Sequence, residues 1–260
     1  MRLSLINRLT FIISLLCFSC TPVQAEATNL TIAQTPNRNP SSKPSPFVPP
    51  PLPPSVGTPG QRRSEAGSRP QSCRQGSKPL TALVPTYSSK DSETVWGTTA
   101  AGQPTFWFYA PYSSTSASGE FVMENAAKQQ TIYKVPLKTQ PGIMRVSLAN
   151  TNISLQMNQP YRWYFNVYCQ SNREEVDSYV EGDVTRQSLS SAVQNQITQA
   201  NSQQQVGLFA ANGIWYEALT AAATLHCTRP SDSSWTELLQ AIGLSDLVQE
   251  PISDCQSRTK

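Results

Sequence analysis

From Leu80 to about Arg186 apolar residues come in short runs that alternate with polar ones, interrupted by turn residues every ten or so positions. A period of two places successive side chains on opposite faces of a strand, so this pattern predicts an antiparallel β-sandwich. Seven strands are predicted: Leu80 to Val84, Gln103 to Ala110, Glu120 to Glu124, Thr131 to Leu137, Ile143 to Leu148, Tyr161 to Cys169 and Ser178 to Arg186. Ser118-Gly119, Pro141-Gly142 and Asn158-Gln159-Pro160 supply turns between them. The most aromatic run, PTFWFYAPY from Pro104 to Tyr112, is the predicted central strand. Phe106, Phe108 and Ala110 fall on one of its faces and Thr105, Trp107 and Tyr109 on the other. A strand with two apolar faces is either covered on both sides or offers an aromatic platform to a ligand.

The sixth strand lies in LQMNQPYRWYFNVYC. Tyr161, Trp163, Phe165, Val167 and Cys169 share one face, and Arg162, Tyr164, Asn166 and Tyr168 the other. Tyr161, at the start of the penultimate strand and six residues after Leu155, resembles the tyrosine corner of immunoglobulin-like and fibronectin type III-like sandwiches. In those folds the hydroxyl bonds back to the preceding connection.

After Gln187 the period lengthens to about 3.6 residues, which predicts helices. Leu189, Val193, Gln196 and Ala200 mark a polar first helix; Val206, Phe209 and Ala210 a second; Trp215, Ala218, Leu219, Ala222 and Leu225 a third. Ser234 and Glu237 form a capping-box pattern for a fourth, with Gly243 placed to end it. Gly213, Trp215, Ala218, Ala222, Leu225 and Pro230 fall at the offsets of a tetratricopeptide helix pair, with Ala222 replacing the usual aromatic and Leu225 the usual alanine. One such pair cannot bury its own apolar face, so it must pack elsewhere. The aromatic outer face of the sandwich, Trp107, Tyr109, Tyr164 and Tyr168, is the predicted partner, or else a ligand platform.

Composition changes the picture at the N-terminus. Ten of the 21 prolines lie between Pro36 and Pro59, in a stretch with too few apolar residues to offset ordering entropy. Residues 26–72 therefore read as a disordered, polyproline-type tether. Arg62, Arg63, Arg69, Arg74 and Lys78 read as a solvated basic boundary behind it. Before it, Arg2 and Arg8, the apolar run Leu9 to Ser19 and Val23-Gln24-Ala25 read as a signal peptide, residues 1–25, cleaved after Ala25. The rival reading is a lipid anchor at Cys20. Cleavage leaves 18 basic residues against 17 acidic, which gives no basis for nucleic-acid binding, and leaves no transmembrane span. Four cysteines remain, Cys73, Cys169, Cys227 and Cys255, and an even number outside the cytoplasm reads as disulfides. Of the three connectivities, Cys227 with Cys255 and Cys73 with Cys169 is favoured, because the first pair flanks the last helix.

Candidate chemistry is sparse. The single histidine, His226, has no partner pattern for a nucleophilic triad and reads as a surface or cap residue. Glu174, Glu175, Asp177, Glu181 and Asp183 read as a solvated turn rather than a calcium site or glycosidase pair. No catalytic, cofactor or metal site is predicted. The motifs LTALVP, PTFWFYAPY, GEFV, YRWYFNVYC, VEG, NGIWYEAL and PISDC resemble, in the same order, a family of secreted cyanobacterial proteins, domain of unknown function 928. The resemblance covers about Arg62 to Cys255 and implies an exported protein with no assigned site residues. The expected architecture is α+β: an immunoglobulin-like antiparallel β-sandwich at 73–186, a helical unit with a degenerate tetratricopeptide-like hairpin at 187–255 packed on it, and a disordered tail at 256–260. The expected function is a non-catalytic binding or protein-interaction module of the cell envelope or extracellular space, with an envelope or extracellular protein as partner. The alternative is a carbohydrate-binding or cell-wall-associated protein that meets a glycan through its aromatic sheet face.

Overall fold

The computed structural model describes residues 47–53, 61–65, 73, 77–88, 93–169 and 175–256. The expected leader, Cys20, Arg69, Arg74, Glu174 and the last four residues lie outside them. The strands are β1 (Thr81–Ala82), β2 (Thr86–Ser88), β3 (Glu93–Thr99), β4 (Thr105–Ala110), β5 (Ser118–Asn125), β6 (Gln130–Lys138), β7 (Gly142–Ser147), β8 (Pro160–Tyr168) and β9 (Ser178–Arg186). The helices are α1 (Ser191–Gln199), α2 (Ser202–Ala211), α3 (Trp215–Thr228), α4 (Ser234–Ala241) and α5 (Ser253–Gln256), with a 3-10 turn at Ser245–Leu247. This is an α+β chain with two sheets, ordered β1-β4-β7 and β2-β3-β9-β8-β5-β6.

In the sheets, expectation and structure differ. The larger sheet is mixed, not antiparallel, because β3 runs parallel to β9 with Trp96 opposite Asp183 and Thr99 opposite Arg186. Strands β2 and β3 were not expected, because β3 is buried on both faces and so carries no alternation, and its partner lies far away in the chain.

Phe106 and Phe108 of β4 meet Phe121, Trp163 and Phe165 of the facing sheet, with ring centroids 4.8 to 6.2 Å apart. These rings form the centre of a core that is continuous through α2, α3 and α4. The Tyr161 hydroxyl accepts the Gln156 amide at 3.1 Å, tying the start of β8 to the connection before it.

The proline-rich and basic stretches are not entirely a spacer. Residues 61–65 join the two sheets: Glu65 and Arg63 exchange backbone bonds with Leu80 and Ala82 beside β1, while the Arg62 carbonyl accepts from Glu181 of β9. Gln61 is buried, donating to Asp183 at 2.8 Å and accepting the Val95 amide at 2.8 Å. The basic residues are engaged rather than merely solvated. Arg62 lies 4.7 Å over the Tyr179 ring, Arg63 donates to the carbonyl of Ile242 at the end of α4, and Lys78 pairs with Glu250. A cation at a helix C-terminus satisfies carbonyls that have no partner within the helix.

The helices end as glycine dictates. Gly213 after α2 and Gly243 after α4 adopt φ of 72° and 75°, and the residues after them, Ile214 and Leu244, donate back to Phe209 and Leu239. The start of α4 differs from expectation. Ser233, not Ser234, occupies the N-cap and donates to Glu237 at 2.9 Å, while Asp232 accepts the Ser234 amide. A complete capping box instead opens α2, formed by Asn201 and Gln204. The cysteines pair as Cys73 with Cys169 and Cys227 with Cys255, with Cα atoms 5.4 and 5.1 Å apart.

Gly182 of β9 faces Trp163 across the pair. A methyl group there would collide with the Trp163 ring and lie 2.8 Å from the Val95 carbonyl oxygen. The Trp163 indole is itself held by a hydrogen bond to Tyr216 and cannot retreat. Gly182→Ala should therefore destabilise the domain by about 1–3 kcal/mol, read as a lowered urea midpoint.

Candidate functional site

The four aromatic residues expected on one outer face lie on two. Trp107 and Tyr109 belong to β4 of the smaller sheet, whereas Tyr164 and Tyr168 belong to β8 of the larger one. A shared sheet was the wrong premise, since β4 and β8 pair with different strands.

On the smaller sheet, Trp107 is 3% exposed. Its indole donates to Thr220 of α3 at 3.0 Å and its ring meets Trp235 of α4 edge-on at 6.3 Å. Tyr109 is 6% exposed, opposite Thr81 and Ile143. Helices and the segment around Ile252, which bridges Ile143, cover this side. On the larger sheet, Tyr168 is buried and donates to Glu120 at 3.0 Å, and Lys134 reaches the same carboxylate at 3.1 Å. Tyr164 and Tyr179 stay half-buried, beside Arg162 and Glu181. Register places Val122, Tyr164 and Glu181 in one row and Glu124, Arg162 and Asp183 in the next. Burial pushes the Glu181 carboxyl up against the pull of Arg162 and Arg62. Burial and the charge of Glu124 push the Tyr164 phenol up, with Arg162 opposing.

Strand reading did not reveal a cleft of about 410 Å³ between α2, α3 and the connection from β3 to β4. Thr220, Thr224 and Thr228, one helical turn apart, line it from α3, Gln205 and Phe209 from α2, and Gln103 from the β3–β4 connection, with Glu217 also in the lining. Thr224 and Thr228 donate to α3 carbonyls, and Gln205 donates to Ile197 and Ala200, so several donors are already used internally. Glu217 ties α3 to the end of β3: its carboxylate accepts the amides of Ala100 at 3.2 Å and Ala101 at 3.0 Å and the Thr99 hydroxyl. The sequence signal was the threonine spacing of four, which reads as an ordinary solvated helix face until α2 is placed against it.

Of the two positions expected for it, surface or cap, His226 takes the helix end. It lies half-buried in the last turn of α3, stacked on Trp235 with centroids 6.2 Å apart. Its Nδ1, the Trp235 indole nitrogen and the Ser234 hydroxyl meet no partner among the described residues. Of the acids, Asp177 accepts the Cys169 amide at 2.7 Å, and Asp183, 2% exposed, is bonded by Arg162 at 3.0 Å and by Gln61. They brace the β8–β9 hairpin. Among the described residues no three His, Cys, Asp or Glu side chains gather as a metal site would require.

Two sheets with a helical hairpin and a cleft beside it define an α+β domain with a side-mounted cavity. The chain belongs to the family described as Domain of Unknown Function (DUF928), which matches residues 64–252. Comparison with curated proteins gives no match. A solved structure, the PmoD soluble domain from Methylocystis sp., is 14% identical, with 44% of this chain and 98% of that chain covered, at a TM-score of 0.26. A score that low supports no argument from one to the other.

Glu217 generates a direct test. Glu217→Ala strands the amides of Ala100 and Ala101, each a partly buried donor, and should cost about 1–3 kcal/mol in thermal or urea unfolding. Glu217→Gln, which keeps an acceptor oxygen, should recover part of the loss.

Proposed function

We propose that this protein is an exported, non-catalytic interaction module of the cell envelope or extracellular space. In this reading an immunoglobulin-like sandwich displays a tetratricopeptide-like hairpin, and the cleft beside the hairpin receives a neutral peptide segment of a partner protein. The observation that carries the reading is the character of the cleft lining: Phe209, Leu225, Pro104 and Ala221 among threonine hydroxyls and glutamine amides, with Glu217 as its charged group, engaged with backbone. With its threonine and glutamine donors used internally, such a surface takes an extended chain by shape and apolar contact, leaving side-chain oxygens to accept the chain's amides. Export is supported by the two disulfides, which persist in oxidising compartments. It also accords with the fact that no described helix is long and apolar enough to cross a membrane.

The second reading is a glycan site on the outer face of the larger sheet. It is favoured by Tyr164 and Tyr179, half-exposed rings next to Arg62, Arg162 and Glu181, since rings flanked by charged hydrogen-bonding groups suit a sugar. Cross-linking in envelope extracts and a glycan array separate the two. Thr224→Trp fills the cleft from an exposed position and should abolish partner cross-linking while leaving the melting temperature unchanged. Saturable glycan binding that survives Thr224→Trp but is lost in Tyr164→Ala or Tyr179→Ala would transfer the function to the sheet.

A further inference from the structure

The proline-rich segment meets the helical hairpin with a regular period. Phe47, Pro50 and Pro53 are half-buried, while Val48, Pro49, Pro51 and Leu52 are exposed. Burial at every third residue is the period of a polyproline II helix, which has three residues per turn and turns one ridge inward. The receptor is the turn between α2 and α3. The Phe47 ring meets Trp215 edge-on with centroids 4.8 Å apart. The Val48 amide donates to the carbonyl of Ala210, near the end of α2, at 3.0 Å. Gly213 lies beneath Pro50, where a methyl group would come within 2.9 Å of the proline Cδ and 3.2 Å of the Val48 carbonyl oxygen.

These contacts have the form of polyproline recognition: an aromatic receptor residue, one hydrogen bond to the ligand backbone and a flat seat for a proline ring. We propose that the α2–α3 turn is a recognition site for a polyproline II segment of pattern Phe-x-x-Pro-x-x-Pro, and that the chain's own Phe47–Pro53 occupies it in cis as a releasable strap. Tethering to the same chain gives the segment an effective concentration on the order of millimolar, so a weak site is filled without a second molecule. Trp215 also donates its indole N–H to the Leu83 carbonyl at 2.8 Å, so the receptor ring is fixed by the sheets and does not depend on the strap for its position. The site lies at the turn end of the hairpin, and the inference is independent of what the cleft binds.

The test uses the full chain. A fluorescein-labelled peptide of residues 45–53 is titrated, with anisotropy as readout, into the wild type and into a Phe47→Ala, Pro50→Ala double variant. The variant, its strap weakened, should bind the peptide at least ten-fold more tightly than the wild type, in which the strap competes. A peptide carrying the same two alanines should bind neither. Val48→Pro is a second release variant, since it removes the amide donor of an exposed residue and leaves both rings in place. It should likewise raise peptide affinity. A double variant with native near-UV circular dichroism and no saturable binding would overturn the proposal. So would loss of the native fold in both variants, because a releasable strap can leave without unfolding its receptor. A wild type that sediments as a concentration-dependent dimer, dissociated by the peptide, would place the segment on a second copy and contradict occupation in cis.

Discussion

The structure depends on how the first turn of α3 is seated. Trp215 and Tyr216 are both fully buried, and each carries a polar atom that water cannot reach. The two atoms are satisfied by different parts of the fold. The Trp215 indole donates to the carbonyl of Leu83, just after β1, and the Tyr216 hydroxyl accepts the Trp163 indole of β8 at 3.1 Å. Burial pushes the Tyr216 phenol far above its ordinary range, so it stays neutral. A buried pair of this kind contributes little in net energy when made and costs about 1–3 kcal/mol when broken, which makes it a fixer of geometry. Because Tyr216 also packs on Phe106 at 4.9 Å, one helical turn sets the position of both sheets.

Other contacts follow from that seat. Gly97 of β3 has no side chain where Tyr216 and Trp215 approach, so β3 can run beneath the helix and pair in parallel with β9. The Thr98 hydroxyl donates to the Gly213 carbonyl and Thr99 to Glu217, which fixes the hairpin turn and the cleft lining together. Gln61 accepts the Val95 amide of β3 and the Arg62 carbonyl accepts the Glu181 amide of β9, and the burial of Asp183 is compensated by Gln61 and Arg162. Removing Asp183 would take a partner from both Gln61 and Arg162, whereas losing either of those two leaves Asp183 the other.

Much of this was legible in the sequence, in the parts where structure is local. Strand β9 was read to the residue, and the helices α2 to α4 followed from a period of 3.6, with Gly243 read as the glycine that ends α4. The parallel strand β3 was not legible, because burial on both faces erases alternation and the pairing partner is remote. The packing of Phe47 and Pro50 on the α2–α3 turn was not legible either, since proline-rich composition argues against a core and says nothing about contacts elsewhere in the chain. The aromatic face was half legible. Alternation assigned Trp107 and Tyr164 to outward positions of their strands, but which sheet each strand joins is a matter of topology that alternation cannot supply. The cleft depends on α2 lying against a threonine row of α3, a relation between helices absent from either helix alone.

If the seat of α3 holds sheets and helices together, the two should open only as one unit. Native-state hydrogen exchange across a denaturant series tests this directly, by comparing the slowest amides of α3, from Leu219 to Ala223, with those of β8, from Trp163 to Val167. The account predicts the same opening free energy and the same denaturant dependence for both sets. Opening of α3 at lower free energy and with a smaller denaturant slope, while β8 stays protected, would contradict it.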